Sequence, residues 1–173
     1  MESMKTILFK SLTLIFLSSV LTAEEIGGFW QTIDKKSKKP TSVIAVYAYE
    51  GKYYARIIGS YNQEGLLDDT IYQPRGRAPG IEGNPYYAGL DIVWDATLDD
   101  DGDRYQGYVV DPRSGKVYHA QLWKRENDLI LRGKEFIFGR NVVWPPFPEE
   151  KFNSSFKKPD VSTFVPAIPH TKN

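Results

Sequence analysis

The chain carries few side chains suited to chemistry, and their spacing narrows the choice further. It has no cysteine and two histidines, so thiolate catalysis and thiolate metal sites are excluded at once. His170 lies in a proline-rich stretch. His119 alternates with Val117, Gln121 and Trp123, so it reads as a surface or packing residue on one strand face rather than a general base. No nucleophile stands beside a base, and no Gly-x-Ser-x-Gly elbow occurs. Asp91 and Asp95 share strand parity, and paired carboxylates are what glycoside hydrolysis uses. Four strand residues, however, separate them by roughly 13 Å, too far for either mechanism unless the strand bends. Asp99-Asp-Asp-Gly-Asp103 suggests a calcium loop until it is counted. With Gly102 at the sixth position, Tyr108 falls at the twelfth, where a glutamate is required. A hairpin turn is expected there. The inventory predicts no catalytic residue, no metal and no cofactor; it favours binding.

The elements that would position a binding site are strands. From Tyr105 to Trp144, short runs of Val, Ile, Leu, Tyr, Phe and Trp are broken by Asp-Pro-Arg-Ser-Gly, Arg-Glu-Asn-Asp and Gly-Lys. Evenly spaced β-formers with turn signals between them predict an antiparallel meander. Thr41–Tyr49 and Tyr53–Ser60 read as a hairpin about Glu50-Gly51-Lys52, with apolar residues on both faces. Lys35-Lys-Ser-Lys-Lys-Pro40 reads as a solvated hairpin loop, with a basic recognition patch as the alternative. Residues 62–89 show no sustained period and predict a long irregular loop, functional or mobile, with a short helical turn. After Trp144, prolines end the ladder. An extended tail follows, with Phe147, Phe152, Phe156 and Phe164 available to pin it to the domain surface, and Asn153-Ser-Ser matches a glycosylation sequon. The fold class is all-β: one antiparallel barrel with a long loop and a Pro-rich tail.

The N-terminus carries an address. A short charged start, an apolar run and Leu-Thr-Ala23 before Glu24 have the layout of a signal peptide, and the run Ser11–Ala23 is too short to span a membrane. The expected division is a signal peptide at 1–23, a barrel domain at 24–144 and a tail at 145–173. Export follows, to the periplasm of a Gram-negative cell or outside the cell, with an uncleaved anchor as the alternative. No membrane span is expected after cleavage. Formal charge is zero over 173 residues, which gives no electrostatic case for nucleic acid.

Gly28-Phe-Trp30-Gln-Thr, Ser42-Val-Ile, Gly51-Lys-Tyr-Tyr-Ala-Arg-Ile, Asn84-Pro85 and Gly89-Leu-Asp-Ile open a series of short motifs. It continues through Asp111-Pro112-Arg-Ser-Gly115-Lys-Val-Tyr118, Leu129-Ile-Leu-Arg132-Gly133, Phe138-Gly139-Arg140 and Trp144. In order and spacing these resemble the DUF2147 family of exported bacterial proteins. The resemblance implies a lipocalin-like barrel and a family without an established activity. Gly-x-Trp is also similar to the start of true lipocalins, where the tryptophan closes the barrel base beside an arginine; Arg132 or Arg140 is the candidate partner. The motif residues are expected to be structural.

Two readings stay open. One is a binding module whose barrel takes a small apolar or amphipathic ligand, lined by Tyr47, Tyr49, Tyr54, Trp94 and Tyr105. Arg75 and Arg77 on the loop would meet an anionic headgroup. The other is an envelope interaction protein that docks a protein partner through the loop at 62–89 and the tail. A barrel plugged by Tyr and Trp favours the second reading, and an open apolar cavity of several hundred Å3 the first.

Overall fold

The computed structural model describes residues 25–133 and 141–172. The expected signal segment, and Gly139 and Arg140 of the motif set, lie outside the described residues. Among the described residues nine strands follow one another: β1 (Gly28–Ile33), β2 (Pro40–Tyr49), β3 (Lys52–Tyr61), β4 (Leu67–Thr70), β5 (Asp91–Leu98), β6 (Tyr105–Asp111), β7 (Lys116–Arg125), β8 (Asp128–Gly133) and β9 (Asn141–Trp144). Eight of them form an antiparallel path β1-β2-β3-β5-β6-β7-β8-β9, and β4 pairs with β3 off that path. The meander expected over Tyr105–Trp144 is β6 to β9.

The path closes on itself just past β9. Gln31 N donates to Pro145 O and Phe147 N donates to Phe29 O, both at 2.9 Å. Prolines fit this seam because only their carbonyls are needed there. The ladder therefore runs past Trp144 before the tail leaves it, and the sheet becomes an eight-stranded barrel.

Local chemistry sets the turns. Glu50 and Gly51 both have positive φ, 48° and 77°, as a two-residue turn between antiparallel strands requires. The Asp99 carboxylate accepts from the backbone N–H groups of Asp103 and Arg104, each at 3.2 Å, so this acidic run is a hairpin turn.

Alternation along β2 sends apolar side chains both ways. Ile44 and Val46 enter the barrel with Ala55, Ile57, Ile92, Val109, Leu122, Leu129 and Leu131. Val43 and Ala45 face outward with Ile58, and there Phe147 and Phe156 of the tail cover them. Each of those two phenylalanines is 3% exposed, burial worth about 2 kcal/mol apiece. The Asn153 carboxamide accepts from Ser155 N and Phe156 N, so the sequon asparagine sets the turn that delivers Phe156.

The segment at 62–89 is largely irregular, as expected, with two differences. It contains strand β4, and no helical turn is found in it. Buried Asp69 accepts from Arg75 N at 2.8 Å and Gly76 N at 3.1 Å, which anchors the chain as it leaves β4. Ala78 and Ile81 then insert into the barrel core, 0% and 1% exposed. The segment is a packed lid.

Candidate functional site

The two ends of the barrel differ. At one end aromatic rings fill the interior. Trp30 is buried, and its indole N–H donates to Ile26 O at 3.2 Å. Tyr53 and Tyr105 meet edge to face at 5.0 Å and pack against the same cluster as Trp144. Burial, reinforced by the Glu25 carboxylate, pushes the Tyr53 hydroxyl up to about 12. This end is plugged.

At the other end a cavity of about 770 Å3 opens. Ile44, Ile57 and Ile92, from β2, β3 and β5, give it an apolar floor. Thr32, Ser42, Ser60, Tyr61 and Tyr87 supply hydroxyls around it, and Lys35, Lys36 and Arg113 stand among the lining residues from two turns. At the turn that carries Arg113 the lid is locked in place by glycine. A Cβ on Gly80 would lie 2.2 Å from Gly115 N, and one on Gly115 would lie 2.4 Å from Gly80 O. Gly115 also has φ of 74°, a conformation that a side chain disfavours. The motif Asp111-Pro112-Arg-Ser-Gly115 thus forms the seat of the lid. The Asp111 carboxylate shapes it by accepting from Arg113 N and Ser114 Oγ, and Gly80 N donates to Pro112 O.

Most of the expected lining residues lie elsewhere. Tyr47 pairs with Tyr54 across β2 and β3, and their rings stack at 5.6 Å. Tyr49 meets Tyr54 at 6.3 Å, and the tail's Phe164 meets Tyr47 edge-on at 5.2 Å. These three tyrosines therefore sit on the outer wall, on the face of Val43 and Ala45. Alternation groups these residues correctly but does not say which face points inward, because the tail makes the outer face as apolar as the inner one. Trp94 stacks at 5.9 Å on Tyr108, an exposed outer-wall residue that also meets His119 at 5.1 Å. Tyr105 is inside, in the plugged end. Arg75 lies 3.5 Å from Asp68, and Arg77 stacks 3.6 Å above Tyr86 while donating to Asn84 O. Neither arginine lines the cavity.

Of the two arginines expected beside Trp30, Arg140 lies outside the described residues. Arg132 alternates with Leu131 and Gly133, and Leu131 is the one that joins Trp30 in the interior cluster. The indole is satisfied by a backbone carbonyl instead. Tyr118 packs against the interior cluster, and Gly133 is buried.

Asp91 and Asp95 have separate partners. Asp95, at φ 53°, sits beside a register shift in β5 and pairs with Lys52 at 2.7 Å. Asp91 is fully buried and accepts from Arg56 Nε and Nη2 at 3.0 and 2.8 Å, from the Tyr47 hydroxyl at 2.9 Å and from Ala167 N at 2.5 Å. That carboxylate accepts from four donors and fastens the tail to the barrel wall. Among the described residues, no group of three or more metal-ligating side chains converges.

Sequence reasoning missed the cavity residues themselves. Alternation put Ile44 and Ile57 on strand faces, but nothing local brings Ile92, Lys35 and Arg113 to one opening; the barrel topology does that.

An eight-stranded antiparallel barrel with one plugged end, one open end and a lid defines a lipocalin-like protein. The chain belongs to the DUF2147 family, described as uncharacterised protein conserved in bacteria, whose model matches residues 28–145. A search of the curated proteins returns no match. Among solved structures, the chain is similar to protein HP1028 from Helicobacter pylori, which is described as belonging to the lipocalin family. Identity is 19%, the TM-score 0.56, and the alignment covers 73% of this chain and 86% of that one. The likeness is one of fold.

Proposed function

We propose that the protein is an exported, non-catalytic carrier that holds a small apolar or amphipathic molecule in the open end of its barrel. The observation that carries this reading is the cavity of about 770 Å3 with a floor of Ile44, Ile57 and Ile92. Small-molecule sites are typically about 300–1,000 Å3, mostly apolar, with a few polar groups that fix orientation. The plugged end makes the cavity a cup rather than a channel. Export is supported by the N-terminal layout.

The competing reading, a docking protein that uses the lid and the tail, has less surface to work with. Phe147 and Phe156 are turned inward onto the barrel, and Thr171 bridges to Ile81 of the lid. These elements bind each other.

Native mass spectrometry of protein purified from its own exporting host tests the proposal. The expected result is a bound small molecule that denaturation releases and that Ile57→Trp, which fills the floor, excludes. A clean unliganded mass together with a stoichiometric protein partner would support the docking reading instead.

A further inference from the structure

The cavity rim is not neutral. Lys35 and Lys36 stand on the turn after β1, Arg113 on the turn after β6, and all three are exposed lining residues. Among the described residues, none of the three is held in an ion pair. The one carboxylate on the lining, Asp34, is committed to its own turn. Its Oδ1 accepts from Ser37 N at 2.6 Å, Ser37 Oγ at 2.8 Å and Lys36 N at 3.1 Å. The backbone hydrogen bond from Ser37, then its hydroxyl, holds the Asp34 carboxyl below its ordinary range. Asp34 is therefore charged, with Oδ1 turned to its own loop; it offsets part of the Lys36 charge, and the three cations still outnumber it at the rim. The basic run first read as a solvated loop sits at the mouth of the cup.

We infer that the ligand is an amphiphile with a single anionic headgroup, a carboxylate or a phosphate, seated among Lys35, Lys36 and Arg113 with its apolar part over Ile44, Ile57 and Ile92. This deepens the carrier reading and rests on it. The polarity of the site is the argument: three cations from two turns against the single Asp34 carboxylate at the rim, and isoleucines below. Arg113 can grip either headgroup through two parallel N–H bonds, and the lysines add point charges. Exposed contacts are individually weak and screened by salt, so the preference should be moderate. Three of them together give roughly ten- to thirtyfold over a neutral analogue.

Isothermal titration of the full chain with dodecanoate, dodecyl phosphate, dodecanol and dodecyltrimethylammonium, each below its micellar concentration, tests this. One or both anions should bind about tenfold or more tightly than dodecanol. That margin should vanish in high salt and in the triple variant Lys35→Gln, Lys36→Gln, Arg113→Gln, which should still bind dodecanol as the parent does. The tighter of the two anions then identifies the headgroup. Equal binding of dodecanol, or better binding of the ammonium, overturns the anionic assignment and leaves the carrier reading standing. Failure of all four to bind overturns both.

Discussion

Arg56 reaches Asp91 through two nitrogens at 3.0 and 2.8 Å, and the Asp91 side chain has no exposed surface. The pair lies on the outer wall of the barrel, closed over by the tail: Arg56 Nη2 donates to Val165 O, Ala167 N donates to Asp91, and the guanidinium stacks 4.6 Å over Phe164. A charge pair at this depth is held by completeness, and removing one partner leaves the other buried without compensation.

Asp91→Ala should therefore cost about 3–5 kcal/mol. The double variant Asp91→Asn with Arg56→Met, which removes both charges and keeps volume, should cost clearly less. Urea unfolding of the two variants, compared at equal slope, measures the difference.

The tail should contribute to stability as a second layer of core. Phe156→Ala should cost about 3 kcal/mol, since the ring is buried against Gly59 and Leu67's partner strand β3. Phe164→Ala, half-buried, should cost less and should speed hydrogen exchange at Ala167 N. Equal stability of Phe156→Ala and the parent would mean that the tail is not docked in solution.

Alkaline pH should weaken the fold through the plugged end. Tyr53 has a folded-state value of about 12, above the ordinary phenolic value of about 10, because burial and then Glu25 disfavour its phenolate. The folded state thus holds a proton that the unfolded chain releases. This contribution is fully present below pH of about 10 and is lost as pH rises toward about 12. Tyr53→Phe should flatten the fall in stability over that window, as read by denaturant unfolding at fixed pH steps. A steeper fall in the variant would contradict the assignment.

Gly80→Ala and Gly115→Ala should both unseat the lid, because each Cβ meets backbone that cannot rotate away. A cost of about 1–3 kcal/mol is expected for either, with the larger effect at Gly115, where positive φ adds strain. Faster hydrogen exchange confined to 76–90 and 111–116 would place the damage at the lid; uniform acceleration would not.

The strands and their turns were legible because their signals are local. Glu50-Gly51, Asp99 to Gly102 and Asp111 to Gly115 each set a turn through their own backbone or a short carboxylate, and the alternation between them needs no distant information. Which face of β2 points inward was not legible. Ile44 and Val46 look like Val43 and Ala45 in sequence, and only the tail, about 100 residues downstream, decides between core and second layer. Tyr47, Tyr49 and Tyr54 were misplaced for that reason. Arg75 and Arg77 were misplaced because a loop without period gives no direction, and its anchors, Asp69 and Gly80, act through contacts the local sequence does not display. The lysine run was legible as a turn; its position at the cavity follows from barrel closure.

The cavity is most directly tested by isoleucine methyl NMR during titration with dodecanoate. The δ1 methyls of Ile44, Ile57 and Ile92 should shift together and saturate, while Ile58, packed beneath the tail on the outer wall, stays still. Shifts at Ile58 with none at the other three, or no saturable shift at any, would contradict a ligand held inside the barrel.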